Sequence, residues 1–164
     1  MSNHGLDTDS QVFFYERDFY VLSNFSAFVL SWKTHLFYTS EHVYHFEKFN
    51  DPDLKLFILH APSAHEAFKF AEKNAHLRRP DWDDVKIDIM RRILRAKASQ
   101  HEYVRRKLLA TGDRELIEDS WRDSFWGWGP EKSGLNMLGK LWMEIRKEIR
   151  DEELRRAVAR HDDR

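Results

Sequence analysis

The sequence has no cysteine, which removes disulfide frameworks and thiolate metal sites and fits a reducing compartment. It also lacks long apolar runs: no stretch approaches the roughly 18 apolar residues of a membrane span. Residues 1–10 have neither the basic nor the apolar region of a secretory leader. The expectation is a cytoplasmic protein with no membrane association and a loose start over residues 1–11. An excess of positive charge is missing too. Lys and Arg number 27 against 28 Asp and Glu, so no global field would hold an extended nucleic-acid duplex by counterion release. Two local basic clusters remain, Arg91-Arg92-Ile93-Leu94-Arg95 and Arg105-Arg106-Lys107. The plain reading of both is a solvated helix face, the alternative a nucleotide-facing patch.

What is present suffices for a core. A chain of 164 residues, 41% hydrophobic and 14% aromatic, suits one domain. Val12 to Phe14 and Ala27 to Leu30 are β-prone, and Leu36-Phe37-Tyr38 answers the second run across a polar tip at residues 31–35, which predicts a small antiparallel sheet. Thr39 can cap a helix that contains Glu41 and stops near Asn50-Asp51-Pro52. Ser63 with Glu66, and Ser99 with Glu102, have the capping-box spacing. Asp81, Asp83 and Asp84 start another helix, whose buried stripe is predicted as Val85, Ile89, Ile93 and Ala96. Gly112 plausibly stops the helix begun at Ser99. The last helix starts near Asn136 and buries Leu138, Leu141, Trp142, Ile145 and Ile149, with the charged residues 151–164 extending it or fraying as a tail. The fold class is therefore α+β, mainly α-helical with a small antiparallel sheet, its domain covering residues 12–150.

Two segments invite a chemical reading. Four of the six glycines and three of the six tryptophans fall between Trp121 and Gly139. Glycines let a backbone approach a ligand and indole faces can stack on a base, although large aromatics are more often buried for packing. The loop from Gly129 feeds into the last helix, whose N-terminal amides would suit a phosphate. In the other segment Glu41, His45 and Lys48 stand at i, i+4 and i+7, one face of a helix, as exposed ion pairs also do. His42 and His45 do not make a metal site: the spacing is not that of His-Glu-x-x-His and no third ligand declares itself, so neither a metal nor a cofactor is expected.

Taken together, these segments resemble the NADAR domain family and, within it, the YbiA-like N-glycosidases. The resemblance rests on Leu22-Ser23-Asn24-Phe25, on Thr39-Ser40-Glu41-His42 followed by Lys48-Phe49, and on Arg79-Pro80-Asp81-Trp82 followed by Lys86 and Met90. It continues through Leu108-Leu109-Ala110-Thr111-Gly112 to Asp123, Trp126-Gly127, Gly129, Gly134, Asn136 and Leu138-Gly139. Two places depart from the pattern: residues 71–77 lack the usual glycine, and Trp32-Lys33-Thr34-His35 stands where a smaller hairpin tip is expected.

The resemblance implies hydrolysis of an N-glycosidic bond in a small ribosyl-phosphate or ADP-ribose-like substrate. A ribosylamino-pyrimidine phosphate of the early riboflavin pathway is the leading candidate. ADP-ribosylated guanine, in a nucleotide or in nucleic acid, is the alternative, and a non-catalytic ADP-ribose-binding module the third reading. Carried over by motif, the catalytic candidates are Glu41, Asp123, Trp82 and Lys48. Asn24, Trp126, Gly127, Gly129 and Asn136 would bind substrate. Glu41 and Asp123 would divide the work of a carboxylate near C1 and a group at the leaving side, in either order. Lys48 is either a cation holding phosphate or an amine that forms a Schiff base, which needs a value well below about 10.4. The cation is preferred here, since a nearby Glu41 reinforces the charged form.

Overall fold

The computed structural model describes residues 7–15 and 17–163, so residues 1–6 of the expected loose start lie outside the described residues. In chain order the elements are β1 (Gln11–Phe14), a 3₁₀ turn (Arg17–Leu22), β2 (Leu30–Trp32), β3 (His35–Phe37), α1 (Ser40–Glu47), α2 (Pro52–Leu59) and α3 (Ala64–Lys73). They continue with a 3₁₀ turn (Ala75–Leu77), α4 (Trp82–Gln100), α5 (Glu102–Ala110), β4 (Glu115–Glu118) and α6 (Met137–Asp162). The chain is mainly α-helical with small sheets, as expected: β1 pairs with β4, and β2 with β3. Its contacts gather into two compact units, Phe14–Lys107 and a second built from Met1–Phe13 with Leu108–Arg164.

In the unit Phe14–Lys107, α1 is the central element, with every residue from Ser40 to Glu47 buried. Thr39 caps it, extended at φ −148° and ψ 163°, its Oγ1 accepting from His42 N. At the other end Lys55 Nζ donates to the carbonyls of Phe46 and Phe49, satisfying acceptors that a helix end leaves open. Asp51 then caps α2, with Pro52 in the first turn. Ser63 caps α3 by accepting from Glu66 N, as its spacing predicts.

Three expectations in this unit are corrected. The hairpin pairs Leu30 with Phe37, Ser31 with Leu36 and Trp32 with His35, so its tip is only Lys33-Thr34, with Lys33 at φ 52°. Positive φ at the first residue of a two-residue loop matches strand twist, and Trp32 is held inward by donating from Nε1 to Glu47 Oε1 at 2.8 Å. Ser99 does not begin a helix, because α4 continues through Gln100. The Gln100 amide pairs with Ser31 N and O at 2.8 Å each, tying that last turn to β2. The buried face of α4 comprises Trp82, Ile89, Met90, Ile93, Leu94, Lys97 and Ala98, while Val85 and Ala96 are only half-buried. The wider stripe takes in a lysine that sequence periodicity does not nominate.

In the other unit α5 stops at Gly112, as predicted, where the chain turns with φ 64°. The strand β4 that follows was not anticipated, since only Leu116 and Ile117 mark it. It packs against α6 through Gly139, where an added Cβ would stand 2.0 Å from the Leu116 carbonyl oxygen. Only glycine permits that approach. α6 buries Leu138, Leu141, Trp142 and Ile145, with Arg146 donating to Thr111 Oγ1 and the Arg114 carbonyl. Ile149 is half-buried, and the helix continues into the charged residues to Asp162.

Candidate functional site

The cluster around Glu41 follows from how α1 begins. The backbone carbonyl of Asn24 accepts from Glu41 N at 3.0 Å, and Ser40 Oγ donates to Asn24 Oδ1 at 3.0 Å. The Asn24 amide nitrogen lies 3.5 Å from Met90 Sδ. The Leu22-Ser23-Asn24-Phe25 segment therefore sets the height of the first turn of α1, and with it the Glu41 carboxylate. Glu41 is 8% exposed. Its Oε1 lies 2.6 Å from His45 Nε2, one turn further along.

Lys48 follows at the C-cap of α1, with its Nζ 4.9 Å from the Tyr44 ring centroid. Tyr44 in turn lies 5.1 Å from the Trp82 ring, and Arg79 N donates to the Lys48 carbonyl at 2.7 Å. One unit thus brings together Asn24, Glu41, Lys48 and Trp82, from segments far apart in the chain. Burial lowers Lys48 below an ordinary lysine. Glu41 and Glu72 pull it back up, Arg78 and Lys86 push it down, and the balance is downward. Burial here outweighs the pull of the two carboxylates.

Neither buried histidine of α1 is exposed as a ligand. His42 holds Thr39 Oγ1 with Nδ1 and the Ala61 carbonyl with Nε2, at 2.7 and 3.0 Å, and burial lowers its pKa. His45 is also lowered by burial, against the attraction of Glu41. Sequence reasoning passed over Glu47, whose signal, a glutamate in the last turn of a buried helix, is indistinct. Burial would raise its pKa, but hydrogen bonds from Trp32 and Lys33 prevail and hold it down.

Asp123, Trp126, Gly127, Gly129 and Asn136 fall in the other unit and are described within it. Asp123 Oδ1 accepts from Phe125 N at 2.8 Å and Trp126 N at 2.7 Å, an Asx turn that fixes the start of the tryptophan loop. Trp126 is buried edge-on against Phe125, with ring centroids 4.8 Å apart. Trp128 donates from Nε1 to Asp119 and lies 5.1 Å from Phe13, while Trp121 is exposed beneath Arg122. Gly129 turns at φ 72°, a conformation that costs a glycine nothing.

The expected phosphate site on the amides of the last helix is corrected. Asn136 N donates to the Gly127 carbonyl, Met137 N to Phe125 and Leu138 N to Trp126, at 2.9 to 3.0 Å. The loop itself consumes those donors. Asn136 stands at φ 50°, its Oδ1 accepting from Glu118 N and its Nδ2 donating to the Leu116 carbonyl, both at 2.9 Å. Beside it a concavity of about 200 Å³ is lined by Glu115, Ile117, Trp128, Lys132 and Lys140 among others. The cations offered at this end of α6 are lysine side chains.

Of the basic clusters, Arg91 pairs with Asp88 at 3.4 Å, Arg92 lies over Trp32 and Arg106 over Tyr103. Among the described residues no helix is long and apolar enough to cross a membrane.

Comparison with known proteins gives a consistent result. The NADAR domain description matches residues 13–150. An N-glycosidase of Nostoc punctiforme is 38% identical over 145 residues, covering 85% of this chain and 93% of that protein. N-glycosidase YbiA of Escherichia coli is 35% identical over 132 residues, covering 80% and 82%. A riboflavin biosynthesis protein of Vibrio vulnificus is 36% identical over 87% of this chain, which spans only 40% of that protein's length. The NMR structure of the E. coli protein YbiA superposes with a TM-score of 0.82 at 33% identity, over 93% of this chain and 92% of that one.

Proposed function

Because the chain belongs to the NADAR domain family, we propose that it is an N-glycosidase that hydrolyses the N-glycosidic bond of a ribosylamino-pyrimidine phosphate, releasing the base and ribose 5-phosphate. The names of its relatives, N-glycosidase and riboflavin biosynthesis protein, support the reaction and the pathway. The observation that carries the mechanism is the Glu41 carboxylate, buried on α1 and held by His45, with Lys48 at the C-cap of the same helix over the Tyr44 ring, which packs on Trp82.

Leaving of the base builds positive charge on C1 of the ribose and electron density on the departing nitrogen. A buried carboxylate stabilises that cation or draws a proton from the attacking water, and Glu41 has this task. Asp123 fixes the start of the tryptophan loop through its Asx turn. Asn24 holds the first turn of α1 through Ser40, and Trp82 packs against Tyr44 behind it. Gly127, Gly129 and Trp126 shape the tryptophan loop, and Asn136 acts through its bonds to β4.

A second route uses Lys48 as a nucleophilic amine. In that route Nζ bonds to C1, the base leaves with its electron pair and takes a proton, the ring oxygen opens, and water then hydrolyses the imine to return Lys48 and ribose 5-phosphate.

The test is product analysis by mass spectrometry on a panel of N-ribosyl compounds, including the ribosylamino-pyrimidine phosphate, ADP-ribosylated guanosine and free ADP-ribose. Release of ribose 5-phosphate from the first, lost in Glu41→Gln with the fold retained, supports the proposal. Turnover confined to ADP-ribosylated guanine, or tight ADP-ribose binding with no turnover of any compound, overturns it.

A further inference from the structure

We infer that His45 is a positioning residue for the reaction, donating from Nε2 to Glu41 Oε1 and so fixing the rotamer of the carboxylate. This rests on the reading of Glu41 as the catalytic carboxylate. The two residues sit one helical turn apart on α1, at 2.6 Å, short even for a charge-assisted bond. The His45 side chain is 2% exposed and that of Glu41 11%, so the carboxylate is the member with residual access to solvent. The ring is wedged between Tyr44, at 5.2 Å, and Phe68, at 5.9 Å.

Among the described residues, His45 Nδ1 is buried without a hydrogen-bond partner. An unsatisfied buried polar atom costs about 1–3 kcal/mol, and a leucine or phenylalanine in the same space would avoid that cost. Packing alone therefore does not account for a histidine here, whereas its single bond to Glu41 does. The groups acting on the ring agree. Burial lowers its pKa, Glu41 and Glu72 raise it and Lys48 lowers it, with burial prevailing. A neutral ring carries one proton, and in the tautomer that donates to Glu41 Oε1 this proton is on Nε2, leaving the lone pair on Nδ1.

The experiment pairs His45→Phe, which fills the space without a donor, with His45→Gln, whose amide nitrogen can stand near the Nε2 position. In the ribose 5-phosphate assay, His45→Phe should lower kcat about 10- to 100-fold, the loss of one charge-assisted hydrogen bond, with KM changing less than about threefold. His45→Gln should recover most of the rate. An unchanged kcat in His45→Phe, or no recovery in His45→Gln, overturns the inference.

A second readout needs no turnover. Nitrogen-15 NMR of the histidine rings should show His45 protonated at Nε2, with that resonance moving in Glu41→Gln; protonation at Nδ1 overturns the pairing. If the wild-type protein turns over no N-ribosyl compound while the NMR result holds, the proposed function has failed and the pairing stands.

Discussion

At position 97 the chain buries an ammonium among neutral oxygens. Lys97 Nζ donates to the Ser23 carbonyl at 2.9 Å and to Ser26 Oγ at 2.7 Å, and Phe28 lies 5.5 Å away. Burial pulls its pKa down to about 7. Below about pH 7 both folded and unfolded chains carry this proton and the cost of burying the charge is full. From there to about 10.4 only the unfolded chain holds it, so stability should rise with pH across that window. Lys97→Met should flatten that rise and leave the protein unchanged or up to about 4 kcal/mol more stable at pH 7. The Ser23 carbonyl keeps its bonds from Ser26 N and Oγ. Denaturant titrations at several pH values check this, and a less stable Lys97→Met with the slope retained would contradict it. None of this is legible in the sequence, where Lys97 closes a basic run and its partners lie some seventy residues away. Glu41 and Lys48, by contrast, announce themselves by spacing on one helix. For Lys48 as an amine, borohydride added during turnover should leave a ribose-phosphate adduct on the peptide carrying Lys48. A rate lost in Lys48→Ala without any trapped adduct would instead favour the phosphate-holding cation.

Among the elements, β4 and α6 depend on Asn136. Its left-handed φ of 50° and two side-chain bonds to β4 combine a strained backbone with a bridge that relieves it. Asn136→Ala should cost about 2–4 kcal/mol, from two lost bonds and the strain of a left-handed alanine. Asn136→Gly should cost less, although it removes more atoms, because glycine accepts positive φ. Equilibrium denaturation of the two variants decides, and the opposite order would place the bonds above the backbone. The element boundaries show what sequence reveals. Thr39 and Ser63 cap as their spacing predicts, because a cap depends on three or four local residues. Ser99 has the same spacing and caps nothing, since Gln100 is held by Ser31 across the unit. The hairpin register turned on Lys33 accepting positive φ, and β4 on a pairing with β1 that four residues do not advertise.

For the whole molecule, near-balanced charge and a mainly helical chain with small sheets were readable from composition and periodicity. The division into units was not, because one of them joins residues 1–13 to residues 108–164. What tied Leu22-Ser23-Asn24-Phe25, Glu41, Lys48 and Trp82 to a common chemistry before any coordinates was their ordered resemblance to a family. The structure adds the contacts through which Asn24 and His45 hold Glu41. The central claim is that this carboxylate drives cleavage of an N-ribosyl bond. Its most direct test is ribose 5-phosphate release from the ribosylamino-pyrimidine phosphate by wild-type protein and Glu41→Gln, compared side by side. The account predicts release by the wild type and a loss of about a hundredfold or more in the variant, with its unfolding transition intact. Equal release by both proteins, or none by the wild type while N-glycosidase YbiA turns over the same preparation, would contradict it.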